Sequence, residues 1–240
     1  MAKREILYQN NIFIISYEIL NRDKTENMIF LHGWGSSKKI MKHSFSLYFQ
    51  NFKHIYIDLI GFGESGDANF PLTSFDYFRI LDKFLTEIGI QKDYIFGHSF
   101  GGKIATLLNP KNLILLSSAG IVQEKSLTVK FKIALYKFMK KIGLNFLQSI
   151  FISDDGKNLS QNMYKTFKNV VDENFENIFS NRKSGKTYIF WGIVDSATPL
   201  DSGYKIHKLI SNSIFFPMEG NHFFFALVKL SVSKIEKVIQ

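Results

Sequence analysis

The most constraining stretch of this chain is Gly97-His98-Ser99-Phe100-Gly101, which follows a short apolar run at residues 94–96 and precedes a helix-compatible segment at 102–108. Strand, sharp turn and helix in that order lift a serine hydroxyl above a sheet, and glycines flank it because the turn leaves no room for side chains. Such a turn needs a buried strand before it and a helix packed back on the sheet after it, so the rest of the chain must supply more of both. Short apolar runs recur at 28–31, 54–57, 94–96, 113–116, 187–191 and 214–216, each the length of a buried strand. Helix-length segments separate most of them. Residues 74–88 place Phe75, Phe78, Leu81, Leu85 and Ile88 at helical spacing on one face. This alternation predicts an α/β fold with a mostly parallel, doubly wound sheet. Two earlier extended segments, 6–9 and 12–18, flank Asn10-Asn11 and predict an antiparallel hairpin start.

The alternation lapses at 121–184, where the chain turns helical and basic, with Phe131, Leu135, Phe138 and Ile142 on one stripe. We read this as an inserted helical cap on a core made of residues 1–120 and 185–240, packed on that core because no low-complexity linker joins it. With 45% hydrophobic and 21% charged residues the chain can fold by burial alone. Its lack of Cys excludes disulfides, thiolate metal sites and a cysteine nucleophile. The apolar run at 12–15 is too short for a signal segment, and no stretch approaches the roughly 18 apolar residues of a membrane helix. A cytoplasmic protein without a membrane span is expected. The net charge of +9 comes mostly from Lys beside abundant Asn, Ile and Phe, a residue bias, and no nucleic-acid recognition module accompanies it.

A serine hydroxyl is a poor nucleophile at neutral pH and needs a base, which in turn needs an orienting acid. In elbow-type enzymes these follow in the order Ser, acid, His. Asp195 lies just past the run 187–191, in Trp191-Gly192-Ile193-Val194-Asp195, and His222 just past the last run, in Glu219-Gly220-Asn221-His222. Both positions are carboxyl ends of strands, where open α/β sheets bind ligands. No carboxylate follows the run 113–116, since Ser117, Ser118, Ala119 and Gly120 come next, and Asp201 reads as a surface or capping residue. His43, His54 and His207 lie outside any strand-end glycine context. Two backbone amides must hold the oxyanion of the tetrahedral intermediate. Phe100 N–H is one, and Trp34 N–H, from His32-Gly33-Trp34-Gly35, is the candidate for the other. The Trp34 indole is a candidate wall for the acyl pocket, and His32 is expected to hydrogen-bond within its loop rather than serve as a second base. The Asp58 to Ser65 stretch lacks phosphate-loop spacing, and no HExxH or clustered ligand set occurs, so neither a metal nor another cofactor is expected.

Taken together, HGWG at 32–35, DLIGFGES at 58–65, GHSFGG at 97–102, WGIVD at 191–195 and GNH at 220–222 resemble the α/β-hydrolase superfamily over nearly the whole chain. Within it the chain is similar to capped serine esterases, such as those acting on pimeloyl-acyl-carrier-protein methyl esters, and to carbon-carbon bond hydrolases of aromatic degradation. The resemblance implies the α/β-hydrolase fold and Ser99, Asp195 and His222 as a triad. Ser99 departs from the dehalogenase and epoxide-hydrolase pattern, whose nucleophile is Asp, and Asn221 stands where a small residue often precedes the His. Three activities remain open: hydrolysis of a carboxylic ester or thioester, cleavage of a β-diketone-like substrate, and slow-turnover ligand sensing. A polar or arginine-bearing lid contacting a carboxylate would favour a carbon-carbon hydrolase, and Arg182 is the single Arg of residues 121–184, which tilts against it. Lys125, Lys130, Lys132, Lys137, Lys140 and Lys141, with no acid among them, would give the cap a positive outer face able to steer an acyl-carrier-protein-linked ester. The alternative partner is a small-molecule ester. Spacing does not fix the acyl chain, the alcohol or the oligomeric state.

Overall fold

The computed structural model describes residues 1–122, 160–183, 185–227 and 229–239. The chain opens with β1 (Ala2–Tyr8) and β2 (Asn11–Leu20), then β3 (Asn27–Leu31), α1 (Lys38–Phe45), β4 (Lys53–Ile57), α2 (Ser74–Glu87), β5 (Tyr94–His98), α3 (Phe100–Leu108) and β6 (Asn112–Leu116). It continues with α4 (Gln161–Val171), α5 (Glu176–Ser180), β7 (Lys186–Gly192), α6 (Leu200–Leu209), β8 (Ser213–Met218), α7 (Phe224–Leu227) and α8 (Lys229–Ile239). Among the described residues eight strands form one sheet in the order β1-β2-β4-β3-β5-β6-β7-β8. From β4 to β8 all neighbours are parallel, while β2 pairs antiparallel with both β1 and β4. The order reverses between β3 and β5, and the crevice beyond their carboxyl ends is where ligands bind in such sheets.

The strand runs read from sequence sit inside β3 to β8. Those of β3 to β7 are covered on both faces and so are apolar at nearly every position, while the edge run in β8 leaves Ile214 exposed. Alternation then sorts side chains between two layers: Leu113 and Leu115 of β6 face one core, Ile114 and Leu116 the other. The first core is closed by α2 to α6, the second by α1, α7 and α8. Much of the Phe content fills the second, where Phe30 stacks on its register neighbours Tyr56 and Phe96, each with ring centroids 4.7 Å away. Offset aromatic stacking adds specificity to area burial there.

Two local expectations are corrected. The hairpin turn is Gln9-Asn10, with φ of 47° and 58°, and Asn11 already pairs with Tyr8. Two positive φ values match the right-handed strand twist, and Gln9 is driven there because Asn11 uses its side-chain amide to bond the Gln9 carbonyl at 2.8 Å. On α2 the buried face is Tyr77, Ile80, Leu81, Phe84 and Leu85, while Phe75 is exposed. Tyr77 turns the helix inward by donating its hydroxyl to Ile60 O at 2.8 Å, and a Thr73–Asp76 capping box starts it.

The described part of the insertion lies against the first core. Met163, Val170, Phe175 and Phe179 are buried there, and Asn162 and Asn169 donate to the carbonyls of Ala68, Asn69 and Leu72. Lys103 of α3, 1% exposed, reaches Val170 O at 2.7 Å and Glu173 Oε2 at 2.6 Å, with the Phe175 ring 4.5 Å away. Ser74 donates its hydroxyl to the same Glu173 carboxylate. The Phe131 to Ile142 stripe and the Lys125 to Lys141 face lie outside the described residues. At the sheet margins, β1 exposes Lys3, Arg4 and Glu5, and β8 carries an exposed Pro217. Among the described residues no helix is long and apolar enough to cross a membrane.

Candidate active site

Ser99 joins β5 to α3 with φ 49° and ψ −116°, a strained conformation for a residue with a side chain. The surroundings hold it there. Its amide donates to Leu116 O at 3.1 Å, and its carbonyl accepts from Gly102 N and Ala119 N, each at 3.0 Å. The flanking glycines have no space for a Cβ: one at Gly97 would lie 2.6 Å from Gly101 O, and one at Gly101 2.5 Å from His32 O. A Cβ at Gly102 would meet Ser118 Oγ at 2.2 Å. The hydroxyl is therefore presented at the carboxyl end of β5, beside the order reversal.

Asp195 and His222 come from the turns after β7 and β8 and are joined at 2.7 Å, Oδ2 to Nδ1. The two turns are laced together by Ile193 N to Met218 O and Val194 N to Gly220 O. Gly192 permits this approach, since a Cβ there would lie 2.3 Å from Asn221 O. Burial would raise the Asp195 carboxyl, but the hydrogen bond from His222 and the Thr198 amide outweigh it and hold the group down to about 2. Its Oδ1 accepts the amides of Ala197 and Thr198 at 2.8 and 2.9 Å. An ionised carboxylate can only accept, so His222 Nδ1 carries a proton, and in the neutral ring Nε2 then holds the lone pair that a general base needs. The hydrogen bonds of His222 run to Asp195, Thr198 and His98, and none to Ser99 Oγ.

The loop after β3 borders the serine. A Cβ on Gly33 would sit 3.1 Å from Ser99 Cβ, and the Trp34 ring lies edge-on to Phe100 with centroids 5.6 Å apart. Neither the Trp34 nor the Phe100 amide has a backbone carbonyl partner among the described residues. Two such free donors beside a serine suit a developing oxyanion. The Trp34 indole also meets Phe62 and Phe167, at 4.8 and 5.3 Å, making an aromatic wall.

A model of the alpha/beta hydrolase fold family matches residues 26–112, from the start of the parallel sheet through β5 and α3. The chain is 29% identical over 239 residues, 90% of its length and 81% of the relative's, to a Mycoplasma pneumoniae protein whose name places it among esterases and lipases. Its fold superposes on an esterase from Exiguobacterium antarcticum with a TM-score of 0.75, at 18% identity, covering 98% of this chain and 97% of that one. For an esterase from Thermogutta terrifontis the TM-score is 0.73 at 16% identity, with 100% and 98% covered. The chain has the α/β-hydrolase fold.

Several residues of the site carry no signal in sequence spacing. Thr198 donates its amide to Asp195, and its hydroxyl lies 2.9 Å from Asp195 Oδ2 and 3.2 Å from His222 Nδ1. Trp191 Nε1 donates to Thr198 O at 2.8 Å and so fixes the acid turn to β7. Ser117, at the strand end that lacks a carboxylate, hydrogen-bonds the Asp195 side chain and helps hold it ionised. His32 does bond within its loop, with Nδ1 2.7 Å from Gly33 O, but its Nε2 also accepts Leu59 N at 3.0 Å. With both nitrogens committed and burial pushing it down to about 4, His32 is a neutral pin between two loops. Arg182 is also a clamp, buried against Asn109 Oδ1, Thr187 Oγ1 and the carbonyls of Pro110 and Lys186. Among the described residues no three His, Asp or Glu side chains group as metal ligands.

Proposed function

We propose that this esterase-like α/β-hydrolase cleaves carboxylic esters or thioesters through an acyl-enzyme on Ser99. Ser99 Oγ attacks the carbonyl carbon, and His222 Nε2 takes its proton. The carbonyl electrons pass to the oxygen, which the Trp34 and Phe100 amides hold. As the intermediate collapses, His222 returns the proton to the leaving alcohol or thiol, and water then repeats the sequence to release the acid and free Ser99. The observation that carries this reading is the half-buried Asp195–His222 bond of 2.7 Å, because it fixes the base tautomer beside an elbow serine. The aromatic wall of Trp34, Phe62, Phe100 and Phe167 supports an apolar acyl group.

The arginine that a carbon-carbon hydrolase would place on a substrate carboxylate is absorbed by the Arg182 clamp, which favours ester cleavage. The finer form of the substrate, an acyl-carrier-protein-linked ester, rests on the Lys125 to Lys141 run. The test compares 4-nitrophenyl esters of increasing chain length, a dienol substrate of the carbon-carbon enzymes and a carrier-linked ester, each with wild type and Ser99→Ala. Ester turnover that vanishes in Ser99→Ala supports the reading. Turnover of the dienol alone rejects it, and turnover of none favours a sensing role. Lys132, Lys137 and Lys140 changed together to Glu should lower kcat/KM on the carrier-linked ester alone, and equal effects on a small free ester would remove the carrier protein.

A further inference from the structure

His98 stands immediately before the elbow serine, yet its side chain is committed to the opposite wall of the site. The ring is 1% exposed and packs at centroid distances of 4.6 Å from His222, 5.0 Å from Phe223 and 4.9 Å from Phe225. Its Nε2 lies 3.0 Å from the backbone carbonyl of His222. A carbonyl can only accept, so Nε2 bears the proton. The other nitrogen, Nδ1, is buried without a hydrogen-bond partner and faces the Gly33 backbone, where a Cβ would come within 2.9 Å of it.

We propose that His98 is a positioning residue that sets the distance between the serine and the base, gripping the His222 main chain from a ring covalently attached next to Ser99. The inference rests on the acyl-enzyme reading above. Rotation of the His222 turn away from Ser99 would break the bond to His98, so a single side chain ties nucleophile and base across the carboxyl ends of β5 and β8. The role requires a neutral ring. The ionisable groups around it are His222, Asp195 and His32, and a second cation would oppose the imidazolium that His222 becomes during turnover. A proton on Nδ1 would also be buried with no acceptor. Burial first, and the nearby His222 second, push His98 down to about 3, in keeping with that requirement.

The experiment has three arms on the full chain. A fluorophosphonate is first reacted with wild type and the labelled residue located. Absence of label on Ser99 overturns the acyl-enzyme reading and this inference with it. The second arm measures labelling rate, kcat and KM for His98→Phe, which keeps a ring and loses the donor, and for His98→Gln, which keeps a donor. The Phe variant should lose about 10²-fold in labelling rate and kcat with KM nearly unchanged, the cost of a roughly 1 Å misplacement. The Gln variant should recover about tenfold of that loss. Labelling of folded His98→Phe at the wild-type rate overturns the positioning role while leaving the serine chemistry standing. The third arm applies even where the Phe variant fails to fold: nitrogen NMR of wild type should find His98 neutral with its proton on Nε2 between about pH 5 and 8. A ring that titrates there, or carries its proton on Nδ1, overturns the proposal.

Discussion

Ser99→Ala and His222→Ala should each reduce ester hydrolysis to background while the far-UV circular dichroism stays that of wild type, because members of a catalytic unit fail together. Near-wild-type kcat in either would remove that residue from the mechanism. Asp195→Asn keeps the shape of the acid but lets the imidazole take the wrong tautomer, and should cost about 10⁴-fold in kcat. The two buried histidines make a separate prediction for stability. Their ordinary value is 6.5, and in the fold His32 is pushed to about 4 and His98 to about 3. As pH falls below about 6.5 the unfolded chain takes up protons that the folded chain refuses, so their contribution is full above that pH and is lost down to the folded values. Urea midpoints should therefore fall steadily between about pH 7.5 and 4.5, and a flat series would show that these rings are not buried neutral. The strand-end places of Ser99, Asp195 and His222 were legible because glycine-bounded turns mark where strands of such a sheet end. Thr198, Ser117 and the grip of His98 were not, because a hydroxyl or ring that bonds across 24, 78 or 124 residues leaves no local spacing to read.

At the level of elements, the strands and the elbow were readable and the hairpin turn and helix rotation were not. Burial on both faces makes a strand apolar along its length, which a short run displays directly. The Gln9-Asn10 turn depends on a side-chain bond from Asn11, and the buried face of α2 on a phenol reaching Ile60, and both are tertiary facts. Glycine at the elbow belongs to the readable class and can be tested. In Gly101→Ala the new methyl would press on the carbonyls of His32 and Leu31, at 2.5 and 2.6 Å, and backbone cannot swing aside as a side chain would. Unfolding in urea should show a loss of about 1–3 kcal/mol, with kcat reduced as well because the strained loop carries Trp34. An alanine variant as stable and active as wild type would mean that β3 and the elbow are less tightly apposed than the distances state.

For the whole molecule, one polar link joins α3 to the segment between α4 and α5. Lys103 is 1% and Glu173 21% exposed, so removing the carboxylate strands an ammonium in the first core. Glu173→Ala should destabilise by about 3 kcal/mol, and the double change Lys103→Met, Glu173→Ala by less than that single one, since it leaves no unpaired charge in the core. Additive losses in that cycle would show that the two groups do not interact. Beyond the core, the two margins of the sheet, β1 and β8, which are unpaired on their outer sides among the described residues, bear on how copies of the chain meet at high concentration. Each is a template for another strand. At β1 an incoming strand would have to lie beside Lys3, Arg4 and Glu5. At β8, Met218 turns its carbonyl inward to Ile193, so its neighbour Pro217 points the other way, toward the open side, with no hydrogen to give. Charge protects one margin and a missing donor the other, which disfavours runaway edge-to-edge aggregation in a chain whose central strands are as apolar as these.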